Sequence, residues 1–342
     1  MKSAMSLLLS VLAASAPGTA AAQPQPSSRE VDRAIIRALK HLSLTQNPSG
    51  AWTKKNGGES IALTSLSIMA FMAAGHVPGE GPYGEQLLTG IRWVLDHQRA
   101  NGMFMFSAGH GPMYAHGICT LMLAEAAGMA DQPIAGRIRT SLEKAIRLIL
   151  KAQSISKGVP HTGGWRYQST SNDSDLSVTG WQLLALRAAK NIGCDVPKTS
   201  IDAAVAYVRR CAASRGFGYQ PGHGVTATRT GTGILCLEIC GKHHARETMN
   251  GAESLLRKPL GRSDGFFFYG VYYCSVGMFQ VGEQYWTRTR DHITSMLLSM
   301  QHGDGRWQSA AGNESSYGAT YATSLAVLAL AVEYQYLPIY QR

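Results

Sequence analysis

The sequence predicts an all-α fold, a single α/α toroid of six helix pairs arranged as an inner and an outer ring. Three observations predict it: a recurring turn, apolar segments that stop at glycine, and a second set of segments with a one-sided apolar stripe. The turn reads glutamine, three residues, glycine, one residue, aromatic, and occurs as Gln46 to Gly50 to Trp52, Gln98 to Gly102 to Phe104, and Gln301 to Gly305 to Trp307. Looser versions at Gly164-Trp165, Gly216-Phe217 and Gly265-Phe266-Phe267 lack the spaced glutamine. The aromatics at 52, 104, 165, 217, 267 and 307 fall 40 to 61 residues apart, the length of two helices with their connections.

Taken in order, residues 1–22 read as a secretory signal. Lys2 precedes an apolar run from Leu7 to Ala14, and Ala20-Ala21-Ala22 stands before Gln23 as a small-residue cleavage site. The mature chain, 23–342, is therefore expected to be exported, either periplasmic or released. No later segment has the 18 or more consecutive apolar residues of a membrane helix. The first outer helix follows, with Val31, Ala34, Ile35, Ala38, Leu39 and Leu42 on one stripe and Arg33, Arg37 and Lys40 off it. Outer helices are likewise read at 86–97, 137–152, 201–208, 246–257 and 292–301. Inner helices, apolar nearly all round and so expected to be buried, are read at 61–74, 116–127, 178–192, 233–240, 272–281 and 319–332. Five of them run into Gly75, Gly128, Gly193, Gly241 and Gly282, where a left-handed C-terminal cap places glycine. The first and last turns match each other best, which suits a closed ring better than an open solenoid with polar end caps.

The 342 residues are 45% apolar and 16% charged, ample material for a large core and unlike a disordered chain. The net charge of +10 favours anionic partners, an anionic membrane surface among them. No dense Lys/Arg run or nucleic-acid motif accompanies it, so nucleic acid is not expected as a partner. Six scattered cysteines do not make a disulfide scaffold. Cys236, Cys240, His243 and His244 have a spacing that zinc ligands can show. Here they read instead as small buried thiols with histidines at a helix C-terminus, and neither a metal nor any other cofactor is expected.

The glutamine-to-tryptophan turns at 46–52 and 301–307, with the near copy at 98–104, resemble the repeats shared by squalene and hopene cyclases and the β subunits of protein prenyltransferases. The resemblance covers the whole mature chain. It implies that Gln46, Trp52, Gln98, Phe104, Trp165, Gln301 and Trp307 are structural. It also implies that chemistry lies inside the ring, at the starts of the inner helices, around Glu59, Tyr114, His116, Arg229, Tyr269, Tyr273, Tyr317 and Tyr321, where an isoprenoid or other extended apolar ligand would sit. Hopene-type cyclases begin with an Asp-x-Asp-Asp acid. This chain has Asp173-Ser174-Asp175-Leu176, without the last aspartate. The resemblance makes Asp173 and Asp175 the catalytic candidates, whereas the plain reading of Asp175 is a helix N-cap.

Two departures weigh on prenyl transfer: the chain has no Asp-x-Cys, and no histidine near Thr320 and Tyr321 to complete a zinc site. Val281-Gly282-Glu283-Gln284 has valine where a thioester motif needs cysteine. A carbohydrate-active toroid would need two carboxylates across a cleft, for which Glu59, Asp173, Asp175 and Glu314 are available. A ring that serves only as an interaction or structural module is the other alternative.

Overall fold

The computed structural model describes residues 27–341 apart from 107–110, 133, 310 and 311, and the signal segment 1–22 lies outside them. Among the described residues are twelve α-helices in six pairs. An outer helix precedes an inner one each time: α1 (Ser28–Leu44) and α2 (Ile61–Ala73), α3 (Gly84–Asp96) and α4 (Pro112–Ala127), α5 (Ile134–Gln153) and α6 (Leu176–Asn191), α7 (Lys198–Arg210) and α8 (Ala227–Ile239), α9 (Arg246–Arg257) and α10 (Phe267–Val281), α11 (Glu283–Met300) and α12 (Ala319–Leu330). Each inner helix packs on the next, and α12 returns to pack on α2. The ring is closed. A two-stranded antiparallel ribbon, β1 (Ala212–Ala213) with β2 (Gly216–Phe217), forms the fourth turn.

Burial follows the two sequence patterns. In α1 only Ala34, Ile35, Ala38, Leu39 and Leu42 are buried, the predicted stripe, whereas α2 buries every residue except Ala62. Several helices begin earlier than their apolar pattern. α8 starts at Ala227 because Thr226 caps it and the hydroxyls of Thr230 and Thr232 bond back to carbonyls one turn earlier, which lets a Thr- and Gly-rich stretch stay helical. α11 starts at Glu283, ahead of its apolar pattern, because its first turns only half-bury Tyr285 and Trp286 and full burial begins at Ile293. Gly75, Gly193, Gly241 and Gly282 end their helices at φ of 90°, 83°, 70° and 85°. Gly128 does not, with φ at −84° it stays right-handed.

The turns explain the repeat. Gln46 Nε2 donates to the carbonyls of Gly50 in its own turn and Gln86 in the next outer helix, 2.9 Å each. Gln98 does the same to Gly102 and Ser141, and Gln301 to Gly305 and Ala34. That last bond ties the final turn to α1 and seals the ring. Gln153 completes the set, donating to Gly163 and Ser200; ten residues separate it from its glycine instead of four, so the linear pattern hides it. The indoles of Trp52, Trp165 and Trp307 donate to Leu42, Ile149 and Leu297 carbonyls, 2.8 Å each. Their backbone amides donate to Thr64, Thr179 and Thr323 on the inner helices, and Phe217 does so to Thr230. Each such bond contributes about 1 kcal/mol net, while leaving one buried partner empty costs more.

Candidate functional site

Every inner helix begins just after a turn, so the six helix starts share one face of the ring. Turns also pin the inner helix of the preceding pair: Met113 N donates to Tyr167 O, and Leu176 N to Tyr219 O. Glu314 pins α10 by accepting from Phe268 N and Tyr269 N, at 3.1 and 3.0 Å. Tyr167 and Tyr219 are thereby aimed over the mouth, where their hydroxyls hydrogen-bond to each other.

Asp175 sits at the centre of this group. It is fully buried, and its Oδ1 accepts from Val178 N at 2.9 Å, the N-cap of α6. Its Oδ2 is buried without a hydrogen bond of ordinary geometry from the described residues; Arg166 Nε lies 3.7 Å away, and the Tyr219 side chain also favours its charged form. Burial lifts its pKa from 3.8 to about 6, against the opposing pull of the Val178 amide and Arg166. Arg166 lies over the Tyr167 and Tyr219 rings at 4.9 and 5.6 Å, and Arg229 lies over Tyr219 at 5.1 Å. Tyr114 packs on Tyr167, centroids 5.9 Å apart. Burial first, then the nearby Asp175 carboxylate and Tyr269, push the Tyr114 hydroxyl well above its usual range. Tyr269 reaches across from α10 to donate to Ser177 O on α6.

The sequence candidates separate accordingly. Tyr114, Asp175, Arg229 and Tyr269 come together at the mouth, with the tilted rings of Tyr317 and Tyr321 5.0 Å apart beside Glu314. Asp173 stands at the rim, part-exposed and ion-paired with Arg166. His116 belongs to the scaffold. It is fully buried, Nδ1 takes the Phe104 amide at 3.2 Å in the place threonine fills elsewhere, and Nε2 meets Ala145 O. Glu59 is engaged by Ser49 and Asn47 in its own turn. Tyr273 is wholly buried below the mouth. Arg166, Tyr167 and Tyr219 complete the site and lie outside the set the repeat marks. A signal existed: Tyr167 and Tyr219 stand two residues after the turn aromatics Trp165 and Phe217, the spacing that returns an extended chain to one face.

Below the mouth, aromatic side chains from opposite parts of the ring meet across the axis. Trp181 on α6 stacks on Tyr272 of α10 at 5.5 Å, and these helices are not ring neighbours. Tyr273 and Tyr340 pack beside Tyr272, all at most 2% exposed. Two clefts, of about 100 and 190 Å³, lie on the outside, between α9 and α11 and beside α1, α11 and α12. The described residues contain no cluster fit for a metal ion and no helix long and apolar enough to cross a membrane.

A closed ring of helix pairs stapled by glutamine-and-aromatic turns defines an α/α toroid. The chain belongs to the prenyltransferase alpha-alpha toroid domain family, whose model matches residues 65–267 and 260–339. Among solved structures it is similar to an alpha-1,6-mannanase of glycoside hydrolase family 76 from Salegentibacter sp., with TM-score 0.67 and 8% identity over 88% of this chain and 98% of that one. A family 76 mannosidase from Bacteroides thetaiotaomicron gives 0.62 and 13% over 90% and 100%. A type II terpene cyclase from Scytonema gives 0.40 and 14% over 92% and 100%. At such identities the likeness concerns the fold. No curated protein is significantly similar to this chain in sequence.

Proposed function

We propose that the mouth of the ring binds a polyhydroxylated, saccharide-like ligand, with Asp175 as the group that donates or accepts a proton. The observation that carries this reading is Asp175 itself. One carboxylate oxygen caps a helix while the other is buried without a well-formed hydrogen bond among the described residues, with Arg166 at 3.7 Å and Tyr219 beside it, beneath a rim of tyrosines. A buried acceptor of this kind is costly unless a ligand or water completes it. Tyrosine faces stack on sugar rings, and tyrosine hydroxyls, Arg166 and Arg229 supply hydrogen bonds to hydroxyl groups. A pKa near 6 lets Asp175 exchange a proton close to neutral pH. The family 76 structures act on mannosides, which agrees with the reading without carrying it, because a shared fold does not imply a shared reaction.

An extended apolar ligand is the second reading, favoured by membership of the prenyltransferase toroid family and opposed by the aromatic side chains that meet across the axis. Calorimetric titration with manno-oligosaccharides and other neutral oligosaccharides, set beside mass spectrometry of co-purified lipid, separates the two. Saccharide binding that falls at least tenfold in Asp175→Asn and Tyr219→Ala supports the first reading. Bound isoprenoid lipid with no saccharide binding would overturn it in favour of the second.

A further inference from the structure

The end of the ring opposite the mouth is closed by the segment Leu337 to Tyr340, and its two backbone anchors come from opposed helices and not from ring neighbours. Ile339 N donates to Glu125 Oε2 at 3.1 Å, near the C-terminal end of α4. Gln280 Nε2 donates to Tyr340 O at 2.8 Å, near the C-terminal end of α10. In the ring order α2, α4, α6, α8, α10, α12, helices α4 and α10 face each other across the axis. The segment therefore spans the opening, and both anchors grip its backbone instead of its side chains. Inside, Leu337, Ile339 and Tyr340 are at most 5% exposed, and the Tyr340 hydroxyl meets that of Tyr272, the ring stacked on Trp181. No helix or strand of the ring continues into this piece, which is a single 3-10 turn over Pro338–Tyr340.

We propose that the base of the ring is a receptor site for a short apolar peptide, and that the chain's own segment Leu337 to Tyr340 occupies it as a detachable strap. Backbone capture by a carboxyl group and an amide on opposing helices, with apolar side chains reaching inward, is the chemistry of peptide binding. The threonine and glutamine staples use the same kind of bond but join neighbours in the ring, whereas these anchors reach across it. With the strap seated, the packed rings of Trp181, Tyr272 and Tyr273 are covered from below. Its release uncovers Tyr272 from below, where the Tyr340 hydroxyl now meets it. The proposal is independent of what the mouth binds.

The test uses the full chain carrying Leu337→Ser, Ile339→Ser and Tyr340→Ser together, which weakens the strap's seat without shortening the chain. A fluorescently labelled peptide matching residues 335–341 is titrated and read by anisotropy, with circular dichroism and a thermal melt reporting the fold. The triple variant is expected to keep its helical spectrum and to bind the peptide saturably, at least tenfold more tightly than the unaltered chain does. Adding Gln280→Ala should weaken that binding at least fivefold. A folded triple variant that binds no peptide overturns the proposal. Should the triple variant fail to fold, Tyr340→Ala alone decides. Its folding with measurable peptide binding supports a strap, while its unfolding, or its folding without peptide binding, makes the segment an ordinary part of the core.

Discussion

Asp175 holds a structural and a chemical duty on one carboxylate, and the two can be pulled apart by substitution. Asparagine caps a helix as well as aspartate does, whereas alanine loses the cap at about 1 kcal/mol. Because burial raises the pKa from 3.8 to about 6, the folded chain holds this proton more tightly than the unfolded chain. The associated stability is fully present below about pH 4 and is lost as the pH climbs to about 6. Asp175→Asn is therefore expected to stay folded and to flatten that part of the stability curve in urea titrations from pH 4 to 7. An unchanged slope would show that Asp175 is not the group responsible. His116 is the opposite case, a titratable residue removed from the chemistry by its position. Burial lowers its pKa to about 4, so it is a neutral linker at neutral pH, bridging Phe104 N and Ala145 O.

Among elements, the turns bring parts of the chain so close that only glycine fits. Gly305 has φ of 91°, and a Cβ there would stand 2.3 Å from the Arg37 carbonyl oxygen on α1. Gly303, two residues earlier, has open space around it. Gly305→Ala should cost about 2–4 kcal/mol by strain and displacement of backbone, against under about 1 kcal/mol for Gly303→Ala, measured by chemical denaturation. Equal effects would mean that the last turn is not seated on the first helix. The same comparison shows why the glutamine pattern was readable in three turns and hidden in a fourth. Gln153 makes the same two bonds as Gln46, but an insertion containing a 3-10 turn at Val159–His161 lies between it and its glycine. Hydrogen bonding conserves the geometry while the linear spacing changes.

For the whole molecule, closure has a thermodynamic consequence. An open solenoid has end repeats that can fray one after another. Here α12 packs on α2 and Gln301 reaches Ala34, so no repeat is terminal. Thermal unfolding followed by tryptophan fluorescence and by far-ultraviolet circular dichroism should give coincident single transitions; separated midpoints would speak against a sealed ring. The base adds a pH signature of its own. Burial raises the Glu125 pKa from 4.5 to about 8, opposed by the Ile339 amide. Its stabilising effect is complete below about pH 4.5 and disappears as the pH rises through about 8. Glu125→Gln should remove the decline in stability between about pH 4.5 and 8, and a decline that persists in the variant would assign it to another group.

The sequence by itself determined the toroid, because each pair of helices repeats the same local demands. An apolar stripe, an all-round apolar helix, a glycine stop and a staple turn are set by residues close together in the chain. It also marked Tyr114, Asp175, Arg229 and Tyr269, which lie at the starts of inner helices by virtue of the repeat alone. Tertiary structure decided what no single repeat contains. Arg166, Tyr167 and Tyr219 join the mouth because one pair's turn pins the helix of the pair before it. His116 leaves the mouth because its ring substitutes for a threonine hydroxyl. The axis is crossed by contacts between Trp181 and Tyr272, 91 positions apart in the sequence, and by a segment gripped from opposite sides of the ring. Such contacts depend on how the ring curves back on itself, and local sequence carries no record of that distance.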